Sequence, residues 1–154
     1  MGYYRARMAT IDDVNALSGQ DMGLAVVSTL RPDGTVHSTV VNAGVMDHPV
    51  HGTESVAFVV RGNAWKRKLF ARNGRASLVF RSGWSWSGVE GPIDVVGPDD
   101  PLDSFAIDDV PTLLRAVFTA AGGTHEDWDE YDRVMAAERR AACFITPERI
   151  MGNA

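Results

Sequence analysis

From residue 24 onward the chain sets short apolar, β-branched runs between Gly, Pro and Asn breaks, a pattern of strands joined by tight connections. Before that run, Thr10 stands as an N-cap with Asp13 at the third helical position and Ile11, Val14 and Leu17 on one face, which predicts a short helix ending near Gly19. Leu24 to Leu30 reads as a buried strand. Arg31-Pro32-Asp33-Gly34 is a turn, because Pro presets one φ and Gly permits a positive one, and Thr35 to Met46 completes a hairpin. Asp47 to Thr53, with Pro49, Gly52 and two histidines, is a loop, and Ser55 to Arg61 is a third strand. Ala64 to Asn73 fits a short helix closed at Asn73-Gly74. Arg75 to Arg81 and Trp84 to Val96 are two further strands, the second bent at Gly88 and Gly91.

The period then changes. Pro111 suits a first helical turn, and Leu113, Leu114, Val117, Phe118 and Ala121 make an apolar stripe. Thr124 is expected to cap a last helix carrying Trp128, Tyr131 and Met135. Ala141 to Thr146 is the final strand, with Ile150 near its far end. Six strands with short connections predict a mainly β domain with α, an antiparallel barrel with peripheral helices, and not a parallel sheet. The 154 residues are expected to form one domain.

Composition adds constraints. At 45% hydrophobic and 23% charged residues the chain is an ordinary globular sequence. No apolar run has the ~20 residues of a membrane helix, and the start lacks an apolar leader segment, so a cytoplasmic protein is expected. Cys143 is the lone cysteine, which excludes an intrachain disulfide, and in its apolar strand it reads as a buried, inert thiol. His48 and His51 form a pair without a third ligand close in sequence, so no metal site is expected. Nucleophile elbows, Walker loops and dinucleotide fingerprints are absent. The net charge of −5 hides an asymmetry. Residues 61–81 carry Arg61, Lys66, Arg67, Lys68, Arg72, Arg75 and Arg81 with no acid, whereas residues 99–139 hold eleven of the twenty acids. A local cationic segment in an acidic protein suits a local anionic ligand better than a nucleic acid, though a solvated helix face remains an alternative. Trp84 and Trp86 share strand parity. They are either an aromatic wall beside a planar ligand or part of a core or subunit-interface cluster.

Gly23 to Leu30 with the Arg31-Pro32-Asp33-Gly34 turn and Thr35 to Asn42, the basic segment Trp65 to Phe80, Trp84 to Gly91, and the ending from Trp128 and Tyr131 through Arg140 to Gly152 together resemble pyridoxamine 5′-phosphate oxidase-like split β-barrels, in the flavin/deazaflavin oxidoreductase branch. The resemblance spans roughly residues 10–152. It implies a six-stranded split barrel, a homodimer with cofactor sites between subunits, and FMN or the deazaflavin coenzyme F420 as ligand. Lys66 aligns with the family's phosphate-binding lysine, while Trp65 stands where the family has an arginine. His37, Thr39 and Asn42 fall on the cofactor-facing strand, Val60 and Arg61 on the ring-edge backbone, and Asn63, Lys68, Trp84 and Trp86 complete the expected set.

Lys66, Lys68, Arg72 and Arg75 supply more positive charge than one phosphate needs, which favours the longer anion of F420 over FMN; haem or another ligand are further alternatives. With few catalytic side chains in view, the chemistry is assigned to the cofactor, the catalytic residues stay unassigned, and the substrate is an unsaturated or quinone-like small molecule. A non-catalytic carrier of the cofactor is the second reading. A nucleic-acid module stacking bases on Trp65 and Phe70 is the third, disfavoured by net charge and by the lack of a second basic segment.

Overall fold

The computed structural model describes residues 8–153. Helix α1 (Ile11–Ser18) starts as its capping pattern predicts, with the Thr10 backbone N–H donating to Asp13 Oδ2 at 2.9 Å. β1 (Leu24–Leu30) and β2 (Val36–Asp47) pair from Leu24↔Asn42 to Leu30↔Val36. Their turn is locked by Asp33, whose Oδ1 accepts from the Thr35 N–H at 3.0 Å and the Thr35 hydroxyl at 2.6 Å, and by Gly34 at φ 85. These two bonds hold the Asp33 carboxyl below its usual range.

β3 (Glu54–Val60) follows, then α2 (Trp65–Asn73), whose C-cap Gly74 adopts the left-handed conformation at φ 66 and donates to the Phe70 carbonyl at 2.9 Å. β4 (Arg75–Ser82) and β5 (Ser85–Val96) form the second long hairpin. α3 (Val110–Ala120) is preceded by a single 3₁₀ turn at Ile107–Asp109. α4 (Trp128–Ala137), β6 (Ala141–Ile145) and β7 (Arg149–Gly152) complete the chain.

The strands run in the order β4-β1-β2-β3-β6-β5, and β4 pairs with β5, so six antiparallel strands close into a barrel. Closure removes the sheet edges. β5 achieves it by serving two partners: Ser85 to Pro92 face β4, and Ile93 to Val96 face β6. Gly91 marks the change of partner, where a Cβ would run into the Thr146 carbonyl.

Two details differ from the sequence reading. The last helix is capped by Asp127, whose carboxylate accepts from the Glu130 N–H at 3.1 Å, and not by Thr124; Asp127 lies one residue before the first helical position and satisfies an otherwise free N–H. Ile150 belongs to a separate strand, β7, which pairs with β5.

The barrel interior holds Val27, Val56, Phe58, Leu78, Phe80, Val89 and Cys143 against α1 and Phe70. A second core lies outside the barrel, where Leu113, Leu114, Val117 and Tyr131 cover Ala57, Ala142 and Phe144. Thus α3 and α4 pack on the outer face of β2, β3 and β6. Burial of Cys143 raises its thiol pKa strongly, so it stays protonated and unreactive at neutral pH.

Candidate functional site

Along β2 and β3 the side chains that point out of the barrel meet α3 at one end and open space at the other. In that open space lies a cleft of about 340 Å³ walled by Val40, Asn42, Val59, Arg61, Lys66 and Arg140. Lys66 enters from the first turn of α2. Its ammonium donates to Thr39 Oγ1 at 3.2 Å and meets no carboxylate among the described residues. Burial is the main reason its pKa falls below the usual lysine value, and the Arg140 guanidinium adds to the fall. A partly buried cation whose pKa is lowered by desolvation, and which lacks a counter-ion, is a ready anion site.

The other cations differ in this respect. Arg67 is tied to Asp100 at 2.7 Å, Arg75 to Glu148 at 2.7 Å and Arg139 to Asp99 at 2.9 Å. Arg140 shares Glu138 with Arg61, at 2.6 Å and 3.7 Å. On the far side of Arg61 lies a second cleft of about 560 Å³, lined by Asn63, Arg67, Lys68 and Arg139 with Asp99 and Glu138. Lys68 is exposed there and has no ion pair among the described residues.

The structure therefore brings Thr39, Asn42, Val60, Arg61 and Lys66 to one cleft and places Asn63 and Lys68 in its neighbour. Three expected residues stand apart. His37 sits near the β1–β2 turn, its Nδ1 at 3.4 Å from Arg31 Nη2. Trp84 is in the β4–β5 turn and 95% exposed, and Trp86 is half-buried beside β7; neither lines either cleft. Arg75, in the basic run, starts β4 and lines a different hollow beside Leu30 and Val36. Sequence reasoning passed over Arg140, Val59 and Ala64. Arg140 lies 74 residues from Lys66 in a segment with no local signal, and only the β3–β6 pairing brings it near.

The two loop histidines gain a partner that the sequence hid. His48, His51 and Asp94 place their ligand atoms within 4.8 Å of one another. The His48 ring is buried, stacked on His51 at 4.3 Å, and its Nδ1 accepts from the Val50 and His51 N–H groups, both at 3.1 Å. With Nδ1 an acceptor, the proton sits on Nε2 and is donated to Asp94 Oδ2 at 2.7 Å. A metal on Nε2 would have to displace that proton, and moving it to Nδ1 would turn it against two N–H donors. The arrangement serves to lock the β2–β3 loop onto β5.

No protein-family model matches the chain. Solved structures share its fold at low identity. A pyridoxamine 5′-phosphate oxidase-related, FMN binding protein from Nostoc punctiforme matches with a TM-score of 0.62 and 10% identity, over 99% of this chain and 84% of that one. An F420 reductase matches at 0.57 and 14% identity, over 86% and 91%. A heme binding protein from Mycobacterium smegmatis matches at 0.62 and 13% identity, over 96% of this chain and 55% of that one. The chain thus has the split-barrel fold of pyridoxamine 5′-phosphate oxidase-like proteins, as the sequence resemblance implies. The neighbours' names carry three different ligands, so the fold alone does not choose among them. Among the described residues no helix is long and apolar enough to cross a membrane.

Proposed function

We propose that the protein is an oxidoreductase that binds a flavin-type cofactor in the Lys66 cleft, and that this cofactor is coenzyme F420. The observation that carries the reading is the Lys66 ammonium, partly buried, bonded among the described residues to a hydroxyl alone and sharing its cleft with Arg61. Such a group fits a phosphate or phosphodiester, which would replace the missing counter-ion. The cleft on the far side of Arg61, with unpaired Lys68, gives a longer anion somewhere to continue, and this favours F420 over FMN. When bound, the reduced cofactor supplies a hydride for an unsaturated organic acceptor.

The chain's own contribution is positioning. Among the described residues no acidic side chain lines the Lys66 cleft, and the outward-facing Val40 and Val59 give it an apolar surface on which a flat ring can lie. Titrating the purified protein separately with F420, FMN and haem, followed by absorption, tests the assignment. A Kd below about 10 μM for F420 with weaker FMN binding is expected. Tighter FMN binding would favour the second reading, an FMN oxidoreductase, and haem binding alone would overturn both. Turnover with a panel of electron acceptors separates an enzyme from a carrier.

We further propose that two copies complete the site. Val26, Leu30, Val36 and Val40 are 46%, 51%, 58% and 61% exposed and share one face as the pairs Val26↔Val40 and Leu30↔Val36, with the mutually bonded Ser28 and Ser38 hydroxyls between them. An apolar strip of this kind next to a binding cleft is costly to leave in water. Val40 belongs to both the strip and the cleft, so a second copy on the strip would also wall the cleft. Sedimentation of the protein at micromolar concentration is expected to give a dimer, and Val26→Glu a monomer with lowered cofactor affinity. A wild-type monomer would exclude the shared site.

A further inference from the structure

The Lys66 cleft shares Asn42, Val59 and Arg140 with another hollow of about 250 Å³, which runs under α3 and α4 and is otherwise lined by Val117, Phe118, Ala121, Tyr131 and Met135. Building on the cofactor reading above, we propose that this second hollow is the acceptor-substrate pocket and that it takes a planar aromatic compound with one anionic or carbonyl oxygen directed at Arg140.

Size sets the first limit. An apolar cavity of about 150 Å³ holds one benzene ring, so this hollow accommodates a substituted ring or a fused pair and nothing much larger.

The walls set the second. Phe118, Trp128 and Tyr131 form a connected aromatic cluster, with centroids 5.0 Å apart for Phe118 and Tyr131 and 5.3 Å for Trp128 and Tyr131. Their polar and charged neighbours are already engaged. The Tyr131 hydroxyl donates to the Leu114 carbonyl at 3.1 Å, which joins α4 to α3. Arg115 lies over the Trp128 ring at 5.4 Å and is gripped by both oxygens of Asp132, at 2.8 Å and 2.5 Å. Phe118 and Tyr131 therefore line the hollow, backed by the rings of Trp128 and His125, and offer it ring faces and edges, the surface a second aromatic ring prefers.

Arg140 sets the third. Glu138 engages its Nε at 2.7 Å and its Nη2 at 2.6 Å, which leaves Nη1 without a hydrogen bond among the described residues. Arg140 stands at the junction of the two hollows. An acceptor oxygen held there would keep the attached ring against Phe118 and Tyr131 while its near edge faces Val59 and the cofactor cleft. An oriented pair of reactants is what a cofactor-driven transfer requires of the protein.

The test uses 1-naphthoate as a probe and 1-naphthylmethanol as its neutral counterpart, both measured by calorimetry on the full chain without cofactor. Met135→Trp fills the hollow and is expected to weaken naphthoate binding at least tenfold with F420 affinity unchanged. Arg140→Met is expected to weaken naphthoate about tenfold or more and naphthylmethanol clearly less, since the guanidinium holds a carboxylate more strongly than a neutral hydroxyl oxygen. Arg140→Met decides the matter alone if Met135→Trp fails to fold. Lack of naphthoate binding by the wild type, binding by both variants as tight as wild type, or competition between naphthoate and F420 for one site would overturn the proposal. Failure of F420 to bind while naphthoate shows the variant pattern would remove the cofactor reading and leave the aromatic pocket standing.

Discussion

Lys66→Ala is expected to weaken F420 binding by about 10–150-fold, the loss that follows removal of one charge-assisted hydrogen bond to phosphate. The same change is expected to leave the melting temperature of the ligand-free protein unchanged or slightly raised. Lys66 makes no ion pair that the fold would miss, and burial is the first cause of its lowered pKa, so the charged form is strained in the free protein. A base whose folded pKa lies below its unfolded value binds fewer protons folded than unfolded across the interval between the two. Stability therefore rises with pH through that interval, and the cost of the buried charge is present below it.

Anion affinity moves the other way. It is expected to fall as pH climbs through the lowered Lys66 pKa, earlier than an ordinary lysine would lose its charge. Kd measured by absorption titration from neutral to alkaline pH, in wild type and in Lys66→Ala, checks both points. A variant with wild-type Kd, or one whose ligand-free fold is markedly destabilised, would show that Lys66 is a structural residue. Arg75→Ala is the matched control, since that cation is already paired with Glu148 and lies outside the cleft.

The largest effect on the fold is expected from Gly44→Val. Gly44 lies on β2 where α3 crosses the barrel, and a Cβ there would overlap the Ala120 carbonyl and approach the Ala121 nitrogen to 2.8 Å. Backbone atoms have no alternative rotamer, so α3 must move away from the sheet. Overpacking of this kind costs roughly 1–3 kcal/mol or more, a fall of about 2–12 °C in melting temperature for a domain of this size. The displacement would also withdraw Val117, Phe118 and Ala121 from the second hollow, so naphthoate binding is expected to be lost even in the fraction that folds. Gly19→Ala provides the contrast: its φ is −80, nothing lies within 4 Å, and a change within about 0.5 kcal/mol is expected. Calorimetric melting of the two variants makes the comparison, and equal melting temperatures would mean that α3 does not rest on β2 as described.

Local chemistry was enough for the sequence to determine the elements. The Thr10 and Asp13 pair, the Pro32-Asp33-Gly34 turn and the Gly74 cap each act within four residues, and the β-branched runs place strands without reference to their partners. The order of elements then limits the barrel, because short connections force antiparallel neighbours. The basic run of α2 was legible as a contiguous cationic segment, and Lys66 was singled out within it by the family resemblance. What the run could not reveal is which of its cations is free. Arg67 and Arg75 are neutralised by Asp100 and Glu148, 33 and 73 residues away, and Lys66 meets no acid among the described residues. Arg140 joins the cleft through β6, and Asp94 reaches His48 through β5. The two tryptophans, prominent in the sequence, ended outside the cleft because the β4–β5 turn carries Trp84 into solvent. Only the tertiary structure decided these points, since Coulomb pairing and desolvation depend on distances through space, which in a closed barrel are set by strands far apart along the chain.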